Sequence, residues 1–324
     1  MKYSKYTLGG YLVRGNWHEA IGYLRQFPSR QAVLHRMEKR TTETIRRSDN
    51  AFVNQIDAVF QQYYKKIFWL GESREDGAAY LAENLVGLVG TDKLLHLFQN
   101  TFGADAEKQY ADVSMRVCGI EELLTKAVAE EGYQYLGGDT QGFFGPYIWK
   151  STTPVTYPVE LPAARQDLTV QMMEGFVSRS WLDYISAGTI GTGGWAKNGE
   201  LFCVKASYAK KMDSPAFLVS YLKHEAQHVY DAAHFPSISA LQLEYRAKLA
   251  ELIYYPNMLR FKSFLSEASA DNPDNSHAYA SYLIVKDLSQ RIFSQDYVAE
   301  YDRWKGKLHP VQAAAMECYK AFSI

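Results

Sequence analysis

Residues 224–228 read His-Glu-Ala-Gln-His. On a helix, histidines four residues apart are separated by about 40° around the axis and one turn along it. Both imidazoles can then face one zinc ion, at Zn–N distances of about 2.0–2.1 Å. Glu225 falls beside them, placed to take a proton from a water on the metal. With 8 His among 324 residues, a chance match to this pattern is roughly a one-in-a-hundred event on composition alone, which gives the pentapeptide weight. A buried helix whose two histidines are satisfied by hydrogen bonds is the competing reading. It leaves Glu225 and the carboxylates of the following helix unexplained.

Two protein ligands are too few for a hydrolytic zinc site, which takes a third and keeps a position for water. Glu244 is one candidate. Phe235-Pro236 breaks the first helix, and a second helix running back across it would carry Glu244 about one and a half turns in. His234 is the other, six residues after His228. A third histidine at that spacing needs a glycine to turn the chain, and Asp231 stands at that place. If the helix continues through Asp231-Ala232-Ala233, His234 lies roughly 120° from His228 on the wheel and cannot reach. The geometry favours Glu244.

Other residues have looser expectations. Asp231 lies near the histidine face and could accept the distal N–H of a ligand histidine or anchor the helix pair. Glu251, seven after Glu244, could pair with Arg246 or Lys248 or be an alternative ligand. His277, Tyr279 and Tyr282 are candidate donors to the oxyanion that forms when water attacks a carbonyl. A strand at Gly193–Ala196 or Leu201–Ser207 could pair with an extended peptide substrate.

These residues need elements to hold them. Ser214-Pro215 reads as a helix start, with serine as cap and proline in the first turn. The motif helix should run from Pro215 to about Ala233, and a second, capped by Ser237 or Ser239, to about Tyr255. Before them, Asn198-Gly199 is a two-residue hairpin signal between Gly193–Ala196 and Leu201–Ser207. Tyr279–Phe293, Gln295–Trp304 and Val311–Phe322 complete the helical set.

Upstream, helices are expected at Trp17–Phe27, along a continuous pattern from Ser29 through Tyr63, and at Asp76–Val89, Asp92–Phe102 and Ile120–Glu131. Gly, Thr and Pro dominate from Gly137 onward, so a boundary is placed there, giving a helical region 1–140 and a second domain 141–324. Strands are expected at Thr156–Leu161, Leu168–Met173 and Phe176–Ile185.

Composition is that of a soluble globular protein, with 47% hydrophobic and 22% charged residues. Lys+Arg 35 against Asp+Glu 36 leaves a net charge of −1, which argues for neither nucleic acid nor an anionic membrane as partner. The basic stretch His35–Arg47 is interrupted by Glu38 and Glu43 and reads as a solvated helix face. No apolar run is long enough to span a bilayer. The first residues lack the pattern of a signal peptide. Three widely spaced cysteines, Cys118, Cys203 and Cys318, suit reduced thiols, so a cytoplasmic protein is expected.

A hairpin, the HEAQH helix, a turn and a glutamate-bearing helix together resemble the gluzincin class of zinc metallopeptidases. The resemblance covers about residues 190–255. His224 and His228 match the histidine ligands, Glu225 the catalytic glutamate and Glu244 the third ligand. Thermolysin-like members carry Asn-Glu and an aspartate one turn later. Here Leu243 precedes Glu244, Lys248 follows, and the spacing from His228 is shorter. The resemblance implies an α+β protein with a zincin-like C-terminal domain, in which a small sheet packs on the motif helix. It also implies zinc as cofactor and a peptide or protein as substrate. A non-catalytic zinc- or peptide-binding protein that keeps the helix is the alternative.

Overall fold

The structure is a computed structural model that describes residues 3–197, 199–209, 211–271, 273 and 275–322. It is an α+β protein, with helices predominating and three small sheets among the described residues. No helix among the described residues is long and apolar enough to cross a membrane. The chain divides into two units: Met1–Ser151 with Met173–Thr192, and Thr152–Met172 with Gly193–Ile324.

In the first unit, side-chain caps start the main helices. Asn50 Oδ1 accepts from the Val53 N–H at 2.9 Å, Ser73 Oγ from Asp76 at 3.1 Å and Asp112 Oδ1 from Met115 at 3.0 Å. Each cap satisfies a backbone donor that a helix start leaves open. The helices Ala51–Tyr64, Arg74–Val89 and Val113–Glu130 then bury stripes at helical spacing, including Ile56 and Phe60, Leu81 and Leu85, and Ile120 and Leu124. They form one continuous apolar cluster, in which truncating Phe60 to alanine should cost about 3–5 kcal/mol.

The expected helical pattern from Ser29 to Tyr63 is two helices, Gln31–Thr42 and Ala51–Tyr64. Between them the chain is extended, and the Gln61 amide holds both backbone groups of Ile45, at 2.8 and 2.7 Å. The boundary also moves from residue 140. Tyr147–Trp149 pairs antiparallel with both Gln134–Leu136 and Ser178–Arg179, which draws these strands into the first unit. Of the strand expected at Phe176–Ile185, only Ser178–Arg179 forms one. Beyond Ser178–Arg179 it becomes a short helix, Ser180–Ile185, whose Trp181, Tyr184 and Ile185 all enter the core.

The second unit holds a four-stranded sheet in the order Ser151–Glu160, Arg165–Glu174, Glu200–Val204, Gly194–Lys197. Gly194–Lys197 is therefore an edge strand, and Glu200–Val204 is interior. The two form a tight antiparallel hairpin with Trp195 opposite Phe202. Asn198 of the Asn-Gly turn lies outside the described residues, while Gly199 has φ +79°, a conformation glycine adopts without strain. Leu168, Val170, Met172, Leu201 and Cys203 alternate onto one sheet face. They pack against Phe217, Tyr221, Leu222 and Ala226 of the motif helix and the turns before it.

The helix Ala240–Tyr254 is buried on all sides from Glu244 to Leu252. It packs against the motif helix and the helices Leu259–Glu267, Ser276–Phe293 and Leu308–Ala321. Leu249, Leu252, Phe264, Ile284, Leu288 and Val311 are among the apolar residues of that contact. Its charged side chains are largely withdrawn from bulk water, so each requires a partner inside the fold. This requirement shapes the site.

Candidate metal centre

The motif helix is built in three steps. Pro215–Phe217 opens it, Leu218–Lys223 is a π-helical stretch, and His224–His234 is regular α-helix. A wide turn of this kind inserted in a helix is rare and recurs at functional sites. Ser214 does not cap as expected; its hydroxyl donates back to the Lys211 carbonyl at 2.6 Å. Phe235 leaves the helix with φ −135°, as a residue before proline must. Ser239 then starts the next helix with a reciprocal capping box to Gln242.

This reversal brings together three groups that could hold a metal ion. One ligand atom each of His224, His228 and Glu244 lies within 4.8 Å of the others. The His224 and His228 Nε2 atoms face each other at 3.0 Å. Glu244 Oε1 lies 3.4 Å from His228 Nε2, and Oε2 lies 3.7 Å from His224 Nε2. Ligands held tetrahedrally on zinc at 2.0–2.1 Å stand about 3.3–3.4 Å apart. The three separations bracket that edge. Glu244 Oε2 is buried beside the His277 imidazole, so the carboxylate presents its anionic oxygens to the three histidines around it. The donor set of two imidazoles and one carboxylate is one that catalytic zinc accepts.

The charges agree with the geometry. Burial works against ionising Glu244, yet the His228 and His277 imidazoles and the charge of His224 hold it well below the usual carboxylate range. Burial pushes Glu225 upward, while His224 and His228 pull it back. Burial disfavours the charged form of His228, but its contact with Glu244 wins and raises it. A half-buried carboxyl with a raised pKa, next to a cluster that could hold a metal ion, is a candidate for proton exchange.

The remaining candidates separate clearly. His277 Nδ1 stands 2.9 Å from Glu244 Oε2, with 60% of its side chain exposed. It is at the cluster, on the Glu244 side. The Tyr279 and Tyr282 rings meet at a tilt with centroids 5.9 Å apart, and Tyr282 stacks on Tyr297. His234 stands apart from the cluster: its Nδ1 bonds the Tyr230 carbonyl at 2.7 Å and its ring lies on Tyr230. The uninterrupted helix through Asp231-Ala232-Ala233 is the reason.

Glu251 is neither ligand nor partner of Arg246 or Lys248. Its Oε1 lies 2.7 Å from His224 Nδ1 and accepts from Arg260 Nη2 at 2.8 Å. Burial would raise the Glu251 carboxyl, but Arg260 and His224 bring it down to about 2. A carboxylate at Nδ1 fixes that nitrogen as the protonated one and leaves the Nε2 lone pair free for metal. Asp231 anchors the helix pair: Arg246 Nε lies 2.9 Å from each of its carboxylate oxygens. Lys248 instead reaches Glu267 at 2.7 Å and Ser281 at 3.0 Å. Arg260, Gln227 and Tyr319 have no spacing signal in the sequence; only the fold brings them to the site.

The edge strand Gly194–Lys197 packs near the motif helix. Gly194 is required there, because a Cβ would run into the Phe202 carbonyl oxygen. The chain matches no protein-family model, no curated protein and no solved structure.

Proposed function

We propose that the protein is a zinc-dependent peptide hydrolase with a zincin-like second unit, its ligands His224, His228 and Glu244. The convergence of these three groups at separations matching a tetrahedral edge carries the reading. When bound, zinc would polarise the scissile carbonyl and acidify a water. Glu225 takes the proton from that water at its carboxylate and hands it to the leaving amine. Its half-buried position keeps the carboxylate poorly solvated and basic enough for the first step. His277 donates a hydrogen bond to the developing oxyanion.

The test is metal analysis joined to peptide turnover. Wild type and His234→Ala should retain one zinc per chain, and Glu244→Ala should lose it. Glu225→Ala should keep zinc while hydrolysis of a peptide library stops. Zinc near zero in the wild type sinks the reading. Zinc without turnover of any peptide would instead favour a non-catalytic binding protein.

A further inference from the structure

Behind the ligand cluster, four buried side chains close a hydrogen-bonded ring. Arg246 Nη2 donates to the Tyr319 hydroxyl at 2.8 Å, and that hydroxyl donates to Gln227 Oε1 at 3.1 Å. Gln227 Nε2 donates to Asp231 Oδ1 at 2.8 Å, and Arg246 Nε closes the circuit on both Asp231 oxygens at 2.9 Å. Gln227 and Asp231 have no exposure, and Arg246 and Tyr319 have 4% and 5%. Each polar atom used has a donor or acceptor of the opposite kind, so the Gln227 amide has one orientation and the hydroxyl proton one direction. The Arg246 guanidinium is also boxed by aromatic faces, with Tyr319 at 4.2 Å, Phe322 at 5.3 Å and Phe235 at 5.4 Å.

The ring members stand beside the ligands in sequence. Gln227 precedes His228, and Arg246 lies two residues after Glu244. The ring thus spans the motif helix and the Glu244 helix, and its third corner comes from the helix Leu308–Ala321. We infer that Tyr319 is a positioning residue that sets the distance between Glu244 and the two histidines, through Gln227 and Arg246. The inference rests on the hydrolytic reading only for its consequence: zinc affinity depends on a side chain in the last described helix.

The physical reason is geometric. Removing the hydroxyl leaves Gln227 Oε1 and one Arg246 N–H buried and unpaired, and the two helices must shift to relieve that cost. A shift of a few tenths of an ångström moves Glu244 against His228, where ligand placement is tightly constrained.

Tyr319→Phe tests this, with Tyr245→Phe as control. Tyr245 is similarly buried in the same apolar cluster as Tyr319, and its hydroxyl donates to Asp287 outside the ring. Both variants should lower the melting temperature modestly. Only Tyr319→Phe should weaken zinc binding, by about tenfold in a chelator competition, at the low end of what outer supporting groups contribute. Only it should also shift the His228 imidazole 15N resonances in the metal-free protein. Unchanged zinc affinity and unchanged His228 resonances in Tyr319→Phe would overturn the inference, as would equal changes in Tyr245→Phe. A wild type that takes up no zinc would end the hydrolytic reading, and the metal-free resonances would still decide whether Tyr319 positions the ligands.

Discussion

His224 Nδ1 lies 2.7 Å from Glu251 Oε1, a carboxylate with no exposure to solvent. Glu251 is in turn gripped by Arg260 from the following helix. A buried carboxylate of this kind is stabilised because the Arg260 guanidinium and the His224 ring both reach it. His224 is therefore held by a two-residue support as well as by its own helix.

Replacing Glu251 with glutamine keeps the shape but loses the charge. Glutamine can still accept from Nδ1, yet Arg260 is left without a counter-ion and the preference for the Nδ1–H tautomer weakens. Zinc affinity should fall about 10- to 100-fold. The check is a competition titration with a chelator, alongside thermal unfolding of the metal-free protein. Equal zinc affinity in wild type and Glu251→Gln would show that the support plays no part in holding the ligand.

His277 invites a separation of binding from turnover. It approaches Glu244 at 2.9 Å but keeps 60% of its side chain exposed, so it can reach a substrate without disturbing the core. His277→Ala should leave zinc stoichiometry intact and reduce kcat by about 10²–10³, the usual loss for one oxyanion donor. KM should change much less. Loss of zinc in this variant would mean that His277 supports Glu244 instead, and the oxyanion role would fall.

The local parts of this site were legible in the sequence, and the long-range parts were not. His224 and His228 meet because they are four apart on one helix, a rule that needs no tertiary information. Glu244 followed from the Phe235-Pro236 break and the Ser239 cap, again local signals. Arg260 was invisible, since its partner Glu251 is reached only after the turn through Pro256 and Asn257. Phe176–Ile185 read as a strand because its apolar residues are dense. Ser180 enters a helix at φ +67°, and burial on all sides erases any periodic signal. The pairing of Tyr147–Trp149 with Gln134–Leu136 across residue 140 is likewise a tertiary fact, with no local signal in the sequence.

Glu121 supplies a prediction on stability, in the first unit. Its carboxyl is buried, accepts from Gly138 N–H at 2.8 Å and Tyr135 O–H at 3.0 Å, and crowds Gly137. Burial outweighs those two hydrogen bonds and raises its pKa from 4.5 to about 7. Between these values the folded chain holds a proton that the unfolded chain has released, so stability falls as pH rises. The contribution is fully present below about 4.5 and is lost on passing through about 7, and a shift of this size corresponds to on the order of 3 kcal/mol. Glu121→Gln keeps a neutral acceptor at every pH. Urea unfolding at pH 5 and pH 8 should therefore show a larger loss for wild type than for the variant. Asp57, raised by burial to about 6, contributes the same sign to both proteins and cancels in the comparison. Parallel pH profiles for wild type and Glu121→Gln would exclude a protonated Glu121 in the folded state.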